Sequence, residues 1–424
     1  MANYLPRVVD DELDELAEGL PAISVEGPKG VGKTVTALRR ARTVFSLDTP
    51  AQRELLDADP GRIDRAAAPV LVDEWQRYPA VWDLVRRSVD RDPSPGRFLL
   101  TGSATPVEAP THSGAGRIVR VRMRPMTLYE RLPQPGTVSL QDLLRGGKPS
   151  VGGETGIDLP AYTNEILGSG FPAIRPLPPR AQRAQLDGYL SRIAEHDFPE
   201  QGMSVRRPAT LRAWLTAYAA ATSTTATYTT ILDAATPGDA DKPSKTTTLA
   251  YRDVLSQIWL LDPVPGWLPT RNHLTRLAQG PKHQLADPAL AARLLGASAN
   301  SLLSGTDSGP AIPRDGTLLG ALFESLIALN LRVYAQAAEA SVFHLRTRNG
   351  DHEVDFIVER DDHRVLAFEV KLSTTVTESD VTHLLWLRRE IGDDLIDAAV
   401  INTGQYAYRR SDGIAVVPAA LLTP

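Results

Sequence analysis

The chain has 424 residues, of which 42% are hydrophobic and 23% charged, and its formal net charge is −5. This length predicts roughly two to four domains, the composition is that of an ordinary soluble globular protein, and the net charge gives no sign of nucleic-acid binding, although a global sum can conceal a basic face. The absence of cysteine excludes disulfides and thiolate metal sites. The sequence has no apolar run long enough for a membrane span, and its N-terminus lacks the basic stretch and apolar core of a secretory signal. We therefore expect a cytoplasmic protein without a membrane span.

The first predicted strand, Pro21–Glu26, leads into a glycine-rich loop and then a helix over Thr34–Ala41. The loop reads Gly27-Pro28-Lys29-Gly30-Val31-Gly32-Lys33-Thr34. It fits the pattern G-x-x-x-x-G-K-[ST] between a strand and a helix, where backbone N–H groups and the helix N-terminus can surround phosphates. We therefore predict a site for ATP with magnesium, in which Lys33 reaches the β- and γ-phosphates and Thr34 holds the metal.

Two later strands end in polar residues at the same expected edge. The apolar strand Pro69–Glu74 ends in two acids, of which Asp73 is predicted to contact the magnesium shell and Glu74 to activate water as a general base. The strand over Arg97–Ser103 ends in hydroxyl residues. Ser103 either senses the γ-phosphate or simply caps the strand, and the sequence leaves both interpretations open.

The remaining elements of this region alternate strand with helix, which predicts a parallel sheet with helices on both faces. They are a strand at Val44–Asp48, helices at Pro50–Ala58 and Pro79–Val89, and a last strand at Arg117–Met123. In that last strand Arg120 and Arg122 alternate with apolar residues and are expected to face solvent. Arg117 is the first candidate for an arginine finger acting on a neighbouring subunit, and Arg77 the second. A plain surface arginine is the competing interpretation for both.

The ordered set of these motifs resembles the AAA-type ATPases that carry a C-terminal DUF4143 domain. The resemblance rests on Gly27–Thr34, Val70–Glu74, Leu99–Ala104 and the run from Arg117 to Glu130, and it extends over nearly the whole chain. It implies ATP hydrolysis and a homo-oligomer, with a ring as one form, because an arginine finger acts across subunits.

The middle of the chain is predicted to be helical. Gly136–Phe198, with an amphipathic helix over Arg183–Phe198, is interpreted as a small region beside the nucleotide site. Helices at Leu211–Ala221, Tyr228–Ala234 and Leu249–Leu260 suggest a winged-helix module that places Lys242, Lys245 and Arg252 on DNA phosphates. An ordinary helical packing unit is the alternative. Ser298–Arg314 is rich in Ser, Gly, Asp and Pro and is the best linker candidate.

The C-terminal region begins with an amphipathic helix, Leu318–Tyr334, which carries Glu324. Two strands follow, Glu353–Glu359 and Val365–Lys371. For the apolar faces of both strands to reach one core, paired residues must have numbers of equal parity. That condition predicts an odd-length loop or a bulge, with Asp355 roughly opposite Glu369.

The polar face of these strands holds the groups that a magnesium-dependent phosphodiester cleavage site requires. Glu324, Asp355 and Glu369 are predicted metal ligands, and Lys371 is a catalytic candidate together with Asp355 and Glu369. The arrangement resembles the PD-(D/E)xK nuclease superfamily, to which DUF4143 domains are similar. The family's proline–aspartate pair is replaced here by Val354-Asp355. A solvated strand face with ordinary charges is the competing interpretation, and nuclease-like folds also serve as binding modules.

The predicted fold class is α/β, with a P-loop AAA-type parallel sheet and flanking helices, a helical and winged-helix-like middle, and a restriction-endonuclease-like α/β domain at the C-terminus. The predicted divisions are an ATPase domain, a helical lid region, a winged-helix-like module, a linker and a DUF4143-type domain, at residues 1–135, 136–200, 201–297, 298–315 and 316–424.

Three functions are compatible with these features. The first is an ATP-driven motor or remodelling enzyme acting on duplex or branched DNA, with a C-terminal domain that binds or cleaves it. The second is an ATP-dependent switch or assembly factor whose nuclease-like domain is a non-catalytic protein- or DNA-binding module. The third is a magnesium-dependent endonuclease that ATP licenses.

Overall fold

In the computed structural model the chain forms an α/β protein, with an N-terminal parallel sheet, a helical middle and a C-terminal mixed sheet, as predicted. The structure describes residues 4–103, 114–134, 136–205, 207–236, 244–269, 279–303, 316–347 and 350–424.

The N-terminal sheet is parallel throughout and has the strand order β2-β3-β4-β1-β5. Its strands are β1 (Ala22–Glu26), β2 (Thr43–Ser46), β3 (Val70–Asp73), β4 (Phe98–Gly102) and β5 (Val119–Arg122). The helices of this region are α1 (Val8–Gly19), α2 (Lys33–Leu38), α3 (Pro50–Ala58), α4 (Arg62–Arg65), α5 (Ala80–Arg91) and α6 (Leu128–Arg131). The five predicted strands are confirmed, and β1 and β4 are fully buried because helices cover both faces.

Helix α1 was not predicted, and it supports the glycine-rich loop. Val8, Val9 and Leu13 repeat at helical spacing and are buried. The Arg7 guanidinium, just before the helix, donates to the carbonyl oxygens of Val31 at 2.8 Å and Arg124 at 2.7 Å. The residues that precede the first strand therefore hold the glycine-rich loop in place.

The middle of the chain is helical. Its helices are α7 (Leu140–Arg145), α8 (Leu159–Leu167), α9 (Pro179–Arg192), α10 (Phe198–Glu200), α11 (Pro208–Ala220), α12 (Tyr228–Ala235), α13 (Lys245–Gln257), α14 (Pro288–Leu294) and α15 (Ala299–Leu303). The helix predicted over Arg183–Phe198 is interrupted by a π-helical turn, Ile193–Asp197. The predicted linker begins with helix α15, and residues 304–315 lie outside the described part of the chain.

Two antiparallel bridges follow α13 and join Leu261 to Leu285 and Val264 to Lys282. We call the two bridged segments, residues 261–264 and 282–285, the wing. Three helices followed by such a pair of segments give the element order that a winged-helix interpretation expects. Between the two wing segments in sequence, the strand β8 (Gly266–Trp267) joins the C-terminal sheet as its edge strand. The wing therefore lies against that domain.

The C-terminal sheet has eight strands in the order β7-β13-β14-β12-β11-β10-β9-β8. The strands are β7 (Gly153–Glu154), β8, β9 (Ser341–Arg346), β10 (Glu353–Glu359), β11 (Val365–Val370), β12 (Leu395–Asn402), β13 (Tyr406–Arg409) and β14 (Ala415–Pro418). Helices α16 (Gly316–Ala337) and α17 (Thr382–Ile391) accompany it. The predicted register is confirmed, because Phe356 pairs with Phe368 and Glu359 with Val365 across the five-residue loop 360–364.

The prediction that all of Gly136–Phe198 lies beside the nucleotide site is wrong for its first part. Strand β7 pairs with β13 at the edge of the C-terminal sheet. The strand β6 (Val138–Ser139) pairs with the last strand, β15 (Leu422–Thr423). Arg360 also donates to the carbonyl of Leu144, in α7, at 2.8 Å. Two-residue strands carry no periodic pattern, so the sequence could not assign them to this domain.

Helix α16 is long and apolar enough to cross a membrane by length and composition alone. However, 67% of the stretch Leu318–Ala337 is buried within the protein. Phe323 and Leu326 lie in the core beneath the C-terminal sheet, and the buried Tyr334 hydroxyl accepts a hydrogen bond from the backbone N–H of Tyr129 at 3.3 Å. The helix therefore joins the C-terminal sheet to the N-terminal region.

A buried ion cluster marks the same junction. Asp262, in the wing, lies 3.0 Å from Arg122, 2.8 Å from Arg124 and 3.1 Å from Arg332. The expectation that Arg122 faces solvent is therefore wrong. The alternation in β5 predicted on which face of the strand Arg122 lies, but it could not show that Asp262 covers that side chain. Its neighbour Arg120 is exposed, as predicted, and pairs with Glu26.

Candidate functional site

The glycine-rich loop between β1 and α2 has the backbone that a phosphate cradle requires. Gly30 and Gly32 have φ values of +83° and +103°, which favour glycine. At Gly27 an added Cβ would lie 2.1 Å from the carbonyl oxygen of Met123, on the loop after β5. Here the absence of a side chain lets the loop pass close to the next strand and leave its N–H groups open to a ligand.

Lys33 is buried and donates to the carbonyl oxygens of Gly27 and Pro28, each at 2.8 Å. Burial lowers the pKa of Lys33 to about 8, although Glu74 and Asp73 act in the opposite direction. The ammonium is thus folded back on its own loop. A phosphate group placed in the loop would give it a charged acceptor in place of two neutral ones.

Asp73 and Glu74 lie at the carboxyl end of β3, beside the loop. The Thr34 hydroxyl donates to Asp73 at 2.7 Å, and Thr101, at the end of β4, donates to the same carboxylate oxygen. Thr34 and Asp73 are therefore already positioned side by side, which fits the magnesium ion predicted between them. Thr101 was not predicted individually, although it belongs to the polar strand end that was.

Glu74 adopts a left-handed backbone with φ of +55°, which is uncommon for a residue with a side chain. Gln76 donates to the Glu74 carboxylate and lies 3.3 Å from the hydroxyl of buried Ser103. The structure thus brings Ser103 and Glu74 together through Gln76, a residue that the sequence interpretation missed. Gln76 lies two positions after Glu74, and this nearness to the acidic pair in sequence could have identified it.

Lys29, in the loop, is tied to the end of the interrupted helix. Its ammonium lies 2.7 Å from Asp197, in the π-helical turn, and 2.7 Å from Glu200, in α10. Arg77, the second arginine-finger candidate, lies 2.7 Å from the other oxygen of Glu200. We call these four side chains the loop clamp. It links the phosphate loop and the residues after β3 to the helical region.

Arg117, the first arginine-finger candidate, lies away from the loop. Its side chain is 46% exposed and its Nε atom lies 2.8 Å from Asp90, on α5. The pairing lowers the pKa of Asp90. Arg117 is therefore accessible to another subunit, and its role as a finger stays a prediction.

A cavity of about 1690 Å³ opens beside the loop between the N-terminal segment, α2 and the helical region. It is lined by Gly32 and by the apolar side chains of Leu5, Val35 and Leu38, all three of which are largely exposed. A mostly apolar concave surface next to a phosphate loop fits the base and sugar of a nucleotide.

The C-terminal candidates also lie together, but with an unexpected member. Lys282, from the wing, is buried and lies 2.8 Å from Glu324 and 3.1 Å from Asp355. Lys371 pairs separately with Glu369 at 2.9 Å. We call these five side chains the acidic cluster. Lys282 was missed because it is 42 residues from the nearest partner in sequence and stands in no motif.

Protonation in the acidic cluster is uneven. Burial, together with Asp355, raises the pKa of Glu324 to about 8 and the pKa of Glu369 well above its usual value. Burial also opposes ionisation of Asp355, but Lys282 and Lys371 outweigh it and hold the pKa of that carboxyl below its usual value.

The predicted metal ligands Glu324, Asp355 and Glu369 lie together, and the Lys282 ammonium contacts the first two. Within the described ranges, the structure contains no group of three His, Cys, Asp or Glu side chains that could hold a metal ion. A magnesium site at these three carboxyl groups stays a prediction.

Two of the three predicted DNA contacts, Lys245 and Arg252, lie on the same helix, α13. Lys245 is exposed at the start of α13. The Arg252 guanidinium lies 3.7 Å from the centre of the Tyr228 ring and is partly used in packing the helices. Lys242 lies outside the described residues.

Protein-family models match three segments of the chain. Residues 20–132 match the AAA domain, residues 160–301 match a domain of unknown function (DUF8612), and residues 319–422 match the domain of unknown function DUF4143. The chain carries an AAA domain followed by a C-terminal DUF4143 domain. The loop, Asp73 and Glu74 lie in the AAA domain, and four of the five members of the acidic cluster lie in the DUF4143 domain, whereas Lys282 belongs to the DUF8612 segment.

Two uncharacterized proteins, one of Mycobacterium bovis and one of Mycobacterium tuberculosis, are each 27% identical to this AAA–DUF4143 chain over 414 residues. Each match covers 94% of this chain and 80% of the relative. Among solved structures, a Walker-type ATPase of Pyrococcus abyssi matches with a TM-score of 0.39 and 16% identity, covering 67% of this chain and 94% of that one. The ORC2 protein of Aeropyrum pernix matches with a TM-score of 0.29 and 15% identity, covering 77% and 98%. At these scores neither likeness bears on function.

Proposed function

We propose that this chain is an ATP hydrolase that works as a nucleotide-dependent switch in the cytoplasm, in which the loop clamp reads whether a triphosphate is bound. The AAA domain, the cradle geometry of Gly27–Thr34 and the apolar cavity beside it support ATP as the ligand. The DUF4143 domain is the part whose contacts or assembly the switch controls.

The observation that carries the proposal is the loop clamp. Lys29 belongs to the phosphate loop, yet its charge is neutralised by Asp197 and Glu200 from the helical region. A triphosphate in the loop places several negative charges near that ammonium, and they compete with the two carboxylates for it. Release of the carboxylates would free the π-helical turn, a type of local irregularity that is frequent at functional sites. ATP binding thus acts on the helical region directly.

The residues of the loop and those that follow β3 have separate roles in hydrolysis. Magnesium, held by Thr34 and Asp73, supplies charge compensation on the phosphates when it is bound. Lys33 turns from its own loop carbonyls toward the β- and γ-phosphates and stabilises the charge that develops there. Glu74 accepts a proton from the attacking water, and Gln76 holds its carboxylate in position between the strand ends.

Arg117 completes the site in a homo-oligomer. It is exposed and held by a surface pair with Asp90, which is weak and readily exchanged for a phosphate partner. This assignment supports a ring or a smaller assembly in which the arginine of one subunit contacts the nucleotide of the next.

A second candidate, an ATP-driven enzyme acting on DNA, is favoured by one observation. The helix–helix–wing order of the middle region presents Lys245, exposed, at the start of the helix that would enter a groove. The contact of Lys282 with Glu324 and Asp355 weighs against the cleavage version of this candidate. DNA binding without cleavage is the form that the geometry allows.

Measurement of mass by light scattering, with and without ATP and with duplex or branched DNA, separates the two candidates. The Glu74→Gln variant should bind ATP without hydrolysing it, and the switch predicts an ATP-dependent change in its mass without DNA. Lys33→Ala is the control that should show no change. ATP-independent mass together with hydrolysis that DNA stimulates would instead favour the DNA-acting enzyme.

The loop clamp is tested by a double variant, Asp197→Asn with Glu200→Gln. Without the two carboxylate charges, Lys29 and Arg77 are free for the phosphates, so ATP should bind several-fold more tightly than to the wild type. Glu195→Gln, an exposed acid in the same turn, is the matched control and should leave affinity unchanged. Equal or weaker binding by the double variant would show that the clamp does not compete with ATP.

A further inference from the structure

The environment of Lys282 is unusual for a lysine. Its side chain is 1% exposed, and its ammonium lies 2.8 Å from Glu324, 3.1 Å from Asp355 and 3.5 Å from Glu353. The three acids come from α16 and β10, whereas the lysine comes from the wing. A buried ammonium is costly unless it is paired and hydrogen-bonded, and these contacts supply the pairing.

The Lys282 ammonium lies among the carboxyl groups of Glu324, Asp355 and Glu353. A magnesium ion requires oxygen ligands at about 2.0–2.1 Å in near-octahedral geometry and keeps several waters. The Lys282 Nζ atom instead forms an ion pair with Glu324 at 2.8 Å and donates a hydrogen bond to Asp355 at 3.1 Å. A divalent cation placed on Glu324 and Asp355 would also lie within a few ångströms of the Lys282 charge and be repelled by it.

Lys371, the second lysine of the acidic cluster, also has a partner within the protein. Lys371 lies 2.9 Å from Glu369, and Asp355 accepts a hydrogen bond from the Val370 backbone at 2.9 Å. Glu324 and Asp355 thus contact Lys282, whereas Glu369 contacts Lys371. Each of the three carboxyl groups has a cationic partner supplied by this chain, although one buried oxygen of Glu324 and one of Glu369 make no hydrogen bond with the described residues.

We propose that Lys282 is a tethered cation that stands where a divalent ion would bind, so that the acidic cluster fastens the wing to the DUF4143 domain and does not cleave nucleic acid. The wing carries Asp262 on its other strand, where that residue meets Arg122 and Arg124 of the AAA domain. The same two-stranded unit therefore inserts an acid into the AAA side and a lysine into the DUF4143 side. This inference does not rest on ATP hydrolysis.

The direct test is Lys282→Met in the full-length, nucleotide-free chain. Removal of the ammonium leaves the acids of the cluster uncompensated, so the thermal midpoint should fall by roughly 5 °C or more. Addition of Mn²⁺ should restore much of that loss in the variant and leave the wild type unchanged. Lys245→Met, which removes an exposed lysine, is the control and should behave as the wild type in both respects.

Two further measurements decide the question if Lys282→Met does not fold. The double variant Lys282→Met with Glu324→Gln removes one buried acid together with the lysine and should recover a folded chain without metal. Paramagnetic resonance of Mn²⁺ added to the wild type should show no bound ion that depends on Asp355. A wild-type Mn²⁺ site that Asp355→Asn abolishes, or a folded Lys282→Met variant that gains no Mn²⁺ response, would overturn the proposal.

Discussion

Replacement of Asp262 by asparagine should loosen the junction at which the AAA domain, the wing and helix α16 meet. The Asp262 carboxylate is buried and lies within 3.1 Å of three guanidinium groups, those of Arg122, Arg124 and Arg332. Asparagine keeps the shape of the side chain but removes its charge. Three guanidinium groups, of which that of Arg124 is buried and the other two are mostly buried, would then face one another without an anion between them.

The magnitude follows from the geometry. Removal of one partner from a buried ion pair destabilises a protein by about 3–5 kcal/mol, and the three pairs share one carboxylate, so they do not add. We expect Asp262→Asn to lose at least about 3 kcal/mol of unfolding free energy at neutral pH. Burial opposes ionisation of Asp262, but the three arginines outweigh it and hold the pKa of that carboxyl far below its usual value. Its contribution is therefore present above the unfolded-state pKa and is lost as pH falls toward the folded-state pKa.

Urea unfolding followed from pH 7 down to pH 3 measures both effects. The difference between wild type and Asp262→Asn should be large at pH 7 and should shrink in the acidic range. Asp90→Asn, which removes an exposed acid paired with Arg117, is the matched control and should not shift the midpoint resolvably. A loss below about 1 kcal/mol at pH 7, or a difference that does not depend on pH, would refute the role assigned to this cluster.

The remaining predictions concern the phosphate loop and are read from nucleotide titrations and melting curves. Because burial lowers the pKa of Lys33 to about 8 in the free chain, ATP binding must restore its proton at alkaline pH. The dissociation constant should therefore rise by up to about tenfold between pH 7.5 and 9, and a flat profile would contradict this. Gly27→Ala places a Cβ 2.1 Å from the Met123 carbonyl and should abolish ATP binding and lower the melting temperature. Gly19→Ala, at the end of α1 with open space around it, should raise stability by up to about 1 kcal/mol, and equal behaviour of the two alanine variants would argue against the close approach at Gly27.

Local patterns were sufficient for much of the fold. Strands β1, β3 and β4 of the N-terminal sheet are short, mainly apolar runs, whereas β5 alternates valine with arginine, and neither pattern needs information from elsewhere in the chain. The pairing of β10 with β11 followed from parity alone, because a shift by one residue would have turned one apolar face away from the core. The same periodicity was present in Val8, Val9 and Leu13, so α1 could have been predicted but was overlooked.

Features that depend on distant partners could not be predicted in this way. Alternation in β5 gave the direction of Arg122, but only the folded chain shows that Asp262 covers it. Lys282 follows a glycine and proline in a polar stretch without periodicity, and its partners lie on α16 and β10. The candidate nuclease residues were therefore placed together correctly, whereas the lysine that changes their chemistry was not foreseen.

Single-turnover hydrolysis of ATP by Glu74→Gln tests the central claim most directly. The variant keeps the shape of the side chain but cannot accept a proton from water. The account predicts that it binds ATP with the affinity of the wild type and hydrolyses it at least about a hundredfold more slowly, the lower end of the range for loss of a general base. Lys33→Ala should instead lose binding. Hydrolysis by Glu74→Gln at the wild-type rate would contradict the account.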